Sequence, residues 1–74
     1  MIYYVNKKNN IIGYSYLTNV CDGQIVYDAK KDKFDILKYS TTDREDGFFG
    51  NKVQQWLWNL KDKLDEKPHL ICTG

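Results

Sequence analysis

The sequence is poor in the residues on which most enzyme chemistry rests. It has one histidine, two cysteines, one proline and one methionine in 74 residues, and a single arginine beside ten lysines. Structural zinc wants four N/S ligands in short-spaced pairs, and His69 with Cys72 makes only one such pair, Cys21 being distant. A histidine-based triad would have to rest on His69, one residue after Pro68, where Ser15 or Ser40 is hard to hold in reacting geometry. Two cysteines are too few for a disulfide scaffold. No apolar run approaches the roughly 18 residues of a membrane span, and the first ten residues do not read as a signal peptide. With a net charge of +1, no strong overall field draws the chain to nucleic acid or to a membrane surface. Neither a P-loop nor a dinucleotide fingerprint is present. Gly47-Phe48-Phe49-Gly50 has the GxxG outline of a KH nucleic-acid loop, but its middle is apolar and no helix precedes it. The expectation is a cytoplasmic protein of one small domain that is not an enzyme and needs no metal or cofactor.

What is present is a soluble globular balance, 42% hydrophobic and 28% charged. Lys, Asn, Ile, Tyr and Phe make 31 of the 74 residues, all types with A/T-rich codons, which suggests a bacterial or phage genome. The pattern predicts an α+β fold: a four-stranded antiparallel meander (ββββα) with one C-terminal helix packed on one face. The sheet occupies 1–39, a loop 40–49, the helix 50–67 and a tail 68–74. Strands are predicted at 1–5, 11–20, 24–29 and 34–39. They are separated by the polar cluster 6–10, the Asp22-Gly23 turn signal and a Lys30–Lys33 loop.

These turns predict a register. Val5 is expected opposite Ile11, Val20 opposite Ile25, and Tyr27 opposite Ile36. Side chains alternate, so one face should collect Ile2, Tyr4, Ile12, Tyr14, Tyr16, Val20, Ile25, Tyr27, Phe34 and Ile36 as the core. The other face then carries Tyr3, Val5, Ile11, Leu17, Val26, Leu37 and Tyr39. That is too apolar for an indifferent solvated surface.

After Ser40 the period becomes helical. Thr42-Asp43-Arg44-Glu45 has capping-box spacing, but Gly47 and Gly50 favour a start near residue 50. Phe49, Val53, Trp56, Leu57, Leu60 and Leu64 form one stripe, and Pro68 sets the stop. Counting about 100° per residue, Trp56 is expected in the core and Trp58 on the outer side, near Asn51, Gln54, Asp62 and Asp65. His69–Cys72 is apolar enough to dock back as a short edge strand.

In a meander the first and third loops share one end, so Lys7, Lys8, Lys30, Lys31 and Lys33 should gather there, offset by Asp32. Asp22, Asp43, Glu45 and Asp46 should surround Arg44 at the other end. The order of four antiparallel strands and a Trp-bearing helix, with KFDILKY (33–39) as the fourth strand after a Lys-rich hairpin, is similar to the PC4-type single-stranded DNA-binding domain. The likeness spans about Val26–Leu64 and implies a dimeric nucleic-acid binder using Lys7, Lys8, Lys30, Lys31 and Lys33.

The function expected first is different. It is a small binding protein that occupies a surface of a larger protein partner, as phage or mobile-element inhibitors do, in the host cytoplasm if phage-encoded. Tyr3, Val5, Leu17, Val26, Leu37, Tyr39 and Trp58 are its expected contact residues, and a weak homodimer through the same face is the second expected partner.

Overall fold

The computed structural model describes residues 1–60 and 62–72. Its strands are β1 (Ile2–Lys8), β2 (Ile11–Tyr16), β3 (Gly23–Asp28), β4 (Lys33–Lys38) and β5 (His69–Cys72), with a helix α1 (Phe48–Trp56) running into a 3-10 turn over Leu57–Asn59. The strands form one antiparallel sheet in the order β4-β3-β2-β1-β5. The α+β architecture with one helix on one face is therefore as read, but the sheet has five strands. The tail pairs with β1 as an edge strand, Tyr3 opposite Ile71 and Val5 opposite His69.

The first hairpin corrects the predicted register. The polar cluster is not a five-residue loop: β1 runs on to Lys8, and only Asn9 and Asn10 turn the chain. Asn9 takes a φ of 57°, a left-handed conformation that asparagine tolerates better than most residues. Val5 consequently lies opposite Tyr14, three positions beyond the expected Ile11. An odd shift reverses faces. Tyr3 and Val5 turn into the core at 0% exposure, while Ile2 and Tyr4, expected inside, lie on the opposite face.

The other two hairpins are displaced by even numbers, so their faces survive. Ile12, not Val20, is opposite Ile25, and Phe34, not Ile36, is opposite Tyr27. Asp22-Gly23 is not the hairpin turn. Gly23 begins β3 directly under the ring of Tyr14, where a Cβ would lie 2.2 Å from Tyr14 Cε1, so this glycine serves close packing. Residues 17–22 form the connection, with Leu17 and Cys21 at φ 66° and 53°. At the third turn the Asp28 carboxylate accepts the Lys30 and Lys31 N–H groups (2.9 and 3.3 Å), an aspartate turn of the usual kind.

Tyr3, Val5, Ile12, Tyr14, Ile25, Phe34, Val53, Leu57 and Ile71 make the buried core, with Phe49, Leu60 and Leu64 packed against it. Trp56 departs from the predicted stripe: it is 38% exposed. Trp58 is 44% exposed, as expected, with its ring edge-on to Phe34 at 5.0 Å and to Tyr27 at 6.0 Å. Beyond Trp56 the chain winds as a 3-10 turn of about three residues per turn, with the Trp58 ring beside Phe34 and Tyr27.

The helix start is held by a residue distant in sequence. Gly47, at φ 71°, enters α1 with the ring of Tyr39 packed where its Cβ would be. The Asp43 carboxylate accepts the N–H groups of Phe49 (2.9 Å) and Gly50 (2.7 Å), satisfying two of the free donors of the first turn. Thr42, which has only the spacing of a capping residue, accepts the Tyr16 N–H with its hydroxyl (2.8 Å).

Candidate protein-binding surface

One helix covers one face, and the strand periodicity decides what the other presents. Across the helix-free face run Leu37 and Asp35 of β4, Val26 and Gln24 of β3, Ile11 of β2, Ile2, Tyr4 and Asn6 of β1, and Leu70 and Cys72 of β5. The ladder sets Val26 beside both Ile11 and Asp35, and Tyr4 beside Leu70. Leu37 is 58% exposed and Leu70 55%, with Ile2 and Ile11 also open to solvent.

The 17–22 connection folds back over the middle of this face. A Cβ on Gly13 would lie 2.7 Å from the Cys21 carbonyl oxygen, so glycine lets the loop settle on β2. Ser15, on the same face and fully buried, donates its hydroxyl to the Thr18 carbonyl and lies near Cys21 Sγ. Burial raises the Cys21 pKa, with Asp22 adding to the effect and the Ser15 contact opposing it, so the thiol is held protonated rather than as a nucleophile. Leu17 and Val20 ride on the outside of this loop at 61% and 69% exposure. Leu17 extends the β1–β2 ladder, its N–H bonding to the Ile2 carbonyl (3.1 Å).

Of the expected contact residues, Leu17, Val26 and Leu37 are on this face or the loop that crosses it. Tyr3 and Val5 are not; they are core. Tyr39 sits past β4 against Gly47 and Gly50, and Trp58 is on the helix side with Phe34 and Tyr27. Ile2 and Leu70 were missed. Reading Asn9-Asn10 as a two-residue turn would have placed Ile2 outward, and pairing the HLIC run with β1 would have done the same for Leu70.

The charged ends are less polarised than the meander suggested. Lys7, Lys8, Lys30, Lys31 and Lys33 do share one end of the sheet, but carboxylates are threaded among them. Asp28 is tied to the turn, Asp32 accepts the Tyr27 hydroxyl, and Lys33 pairs with Asp35 at 3.6 Å. Lys7 and Asp62 line a cleft of about 390 Å³ with Asn10, Ile12, Tyr27 and Phe34. At the other end Asp22 is engaged by the Ser40 and Thr41 hydroxyls, which lower its pKa. Arg44 pairs with Asp46 (3.3 Å) and lies over the Phe48 ring.

Among the described residues, no three His, Cys, Asp or Glu side chains are grouped to hold a metal ion, Cys21 and Cys72 are free thiols, and no helix is long and apolar enough to cross a membrane. No protein-family model matches the chain, and neither a curated protein nor a solved structure matches it significantly.

Proposed function

We propose that the protein is a non-enzymatic binding protein whose helix-free sheet face docks onto a larger protein partner, in the manner of a small inhibitor. The observation that carries this reading is the set of solvent-exposed apolar side chains on that face and its loop: Leu37, Ile11, Ile2 and Leu70, with Leu17 and Val20. Single exposed apolar residues are ordinary, but several sharing one face mark a contact surface. Asp35, Gln24 and Asn6 interrupt the patch, so the contact is partly polar, because an unpaired carboxylate resists a dry interface. Leu37→Lys should abolish capture of the partner from lysates of the source organism while leaving the far-ultraviolet circular dichroism unchanged, since the lysine can extend into water. Undiminished capture by a folded Leu37→Lys variant would remove the face from the function.

The gathering of five lysines at one end favours a second reading, a weak single-strand nucleic-acid binder of the PC4 type. Its affinity would fall steeply with salt as counterions leave the phosphates. Lys30→Glu with Lys31→Glu would abolish it. Fluorescence anisotropy with labelled oligonucleotides at low salt tests this, and a flat titration disposes of it.

A further inference from the structure

The sheet ends in two edges of different character. The β4 edge is defended: Lys33, Asp35 and Lys38 line it, the register slips at Leu37, which has no partner in the ladder between Gln24 and Ile25, and Gln54 of α1 donates its side-chain amide to the Phe34 carbonyl. β5 carries no Lys, Arg, Asp or Glu, and its His69 is hydrogen-bonded to Asp65 at 3.0 Å.

The hydrogen-bond phase of β5 is set by its neighbours. The Leu17 N–H to Ile2 carbonyl bond puts the backbone groups of Ile2, Tyr4, Asn6 and Lys8 toward β2. Tyr3 and Val5 therefore address Ile71 and His69, which turns the N–H and C=O groups of Leu70 and Cys72 outward. Pro68, the residue before β5, has no N–H to offer. Both Leu70 and Cys72 are exposed, and among the described residues no backbone partner is found for their outward groups.

We propose that these groups are taken up by a second copy of the chain, β5 pairing antiparallel with β5 about a two-fold axis at Ile71. Leu70 of each copy then exchanges both backbone bonds with Cys72 of the other, so the edge is complementary to itself, as a two-fold contact requires. Two five-stranded sheets become one of ten strands, with both helices on the same side. Leu70, Ile2 and Tyr4 of the two copies flank the seam on the helix-free face, and a net charge of +1 per copy sets little repulsion against it. So short a seam falls below the roughly 1,000 Å² of a stable interface, so the dimer is weak and exchanging. The inference stands apart from the proposed docking function.

The test is sedimentation equilibrium from micromolar to millimolar concentration, with amide exchange recorded at both extremes. The expected result is a monomer–dimer equilibrium in which the Leu70 and Cys72 amides gain protection with concentration. Leu70→Pro removes the outward N–H together with the leucine side chain at the seam, sparing the bonds to β1, and should weaken dimerisation at least tenfold. Leu70→Lys should do the same through edge repulsion, and Leu37→Lys should leave the dimer unchanged. A monomer with fast-exchanging Leu70 and Cys72 amides at millimolar concentration overturns the proposal, as does a dimer indifferent to both Leu70 variants. Protection of these amides only on adding another protein also overturns it, assigning the edge to a foreign strand.

Discussion

Tyr14 reaches from β2 to the mouth of α1, and its hydroxyl serves two segments there. It donates to Asp43 Oδ2 (2.5 Å) and accepts the buried Ser40 N–H (3.0 Å). Burial, foremost, and the bond to Asp43 raise its pKa well above the ordinary tyrosine value. Because Asp43 also holds the first turn of the helix, one phenol joins sheet, loop and helix cap. Tyr14→Phe should cost about 1–3 kcal/mol, the penalty for leaving a buried donor unsatisfied. Urea denaturation measures it, and a variant as stable as the parent would show that water serves Ser40 equally well.

At the scale of elements, both tryptophans are exposed, Trp56 at 38% and Trp58 at 44%, and they differ in what they touch. Trp58 stands edge-on to Phe34 and Tyr27 at the β3–β4 end, whereas Trp56, inside the predicted stripe, makes neither of these ring contacts. Trp58→Ala should therefore be the more destabilising, by about 2–3 kcal/mol. That is less than the 3–5 kcal/mol of a fully buried aromatic, because Trp58 remains 44% exposed. Trp56→Ala should cost about 1 kcal/mol or less. Denaturation curves of the pair decide it, and the reverse order would restore a continuous helix through residue 60.

For the whole molecule, the Cα radius of gyration of 10.9 Å is close to the roughly 11 Å of a folded domain this long, so the chain closes on its own core. Its ionisable ties set a stability plateau in pH. Asp22 is lowered by the Ser40 and Thr41 hydroxyls, and Asp65 by the Lys67 N–H and His69. For a depressed carboxylate the contribution is complete above the unfolded value near pH 4 and lost as pH falls through the lower folded value. Tyr14 is the opposite case: a raised phenol contributes fully below about pH 10 and loses that contribution as pH rises toward the folded pKa. The Cys21 thiol, raised chiefly by burial, behaves likewise from its ordinary value of 9.0, so stability should be flat from about pH 4 to about pH 9. Asp22→Asn should flatten the acid limb and Tyr14→Phe the alkaline limb, as read from melting temperature against pH. An acid limb unchanged in Asp22→Asn would mean that the tie from the 17–22 loop to Ser40 and Thr41 does not stabilise the fold.

Alternation along each strand and the change of period after Ser40 are local properties, and they sufficed for the α+β class, the antiparallel sheet and the apolar character of its second face. They placed Ile12, Tyr14, Ile25 and Phe34 in the core, and Leu37, Val26 and Leu17 outside it. The helix, expected over 50–67 with its stop at Pro68, is instead Phe48–Trp56 and gives way to the 3-10 turn well before that proline. Long-range packing decided the rest. All three hairpins enclose an even number of residues, two after Lys8, eight after Tyr14 and four after Asp28, where an odd five was expected for the first. Only that count separates Tyr3 and Val5 in the core from Tyr3 and Val5 on the surface. Asp22-Gly23 reads as a turn until Tyr14 lies across Gly23, and Thr42 has only the spacing of a cap, the capping being done by Asp43 with Tyr14 behind it. The identity of an edge, β5 open and β4 defended, exists only once the tail has chosen β1, because a strand has an edge only in relation to the sheet it joins.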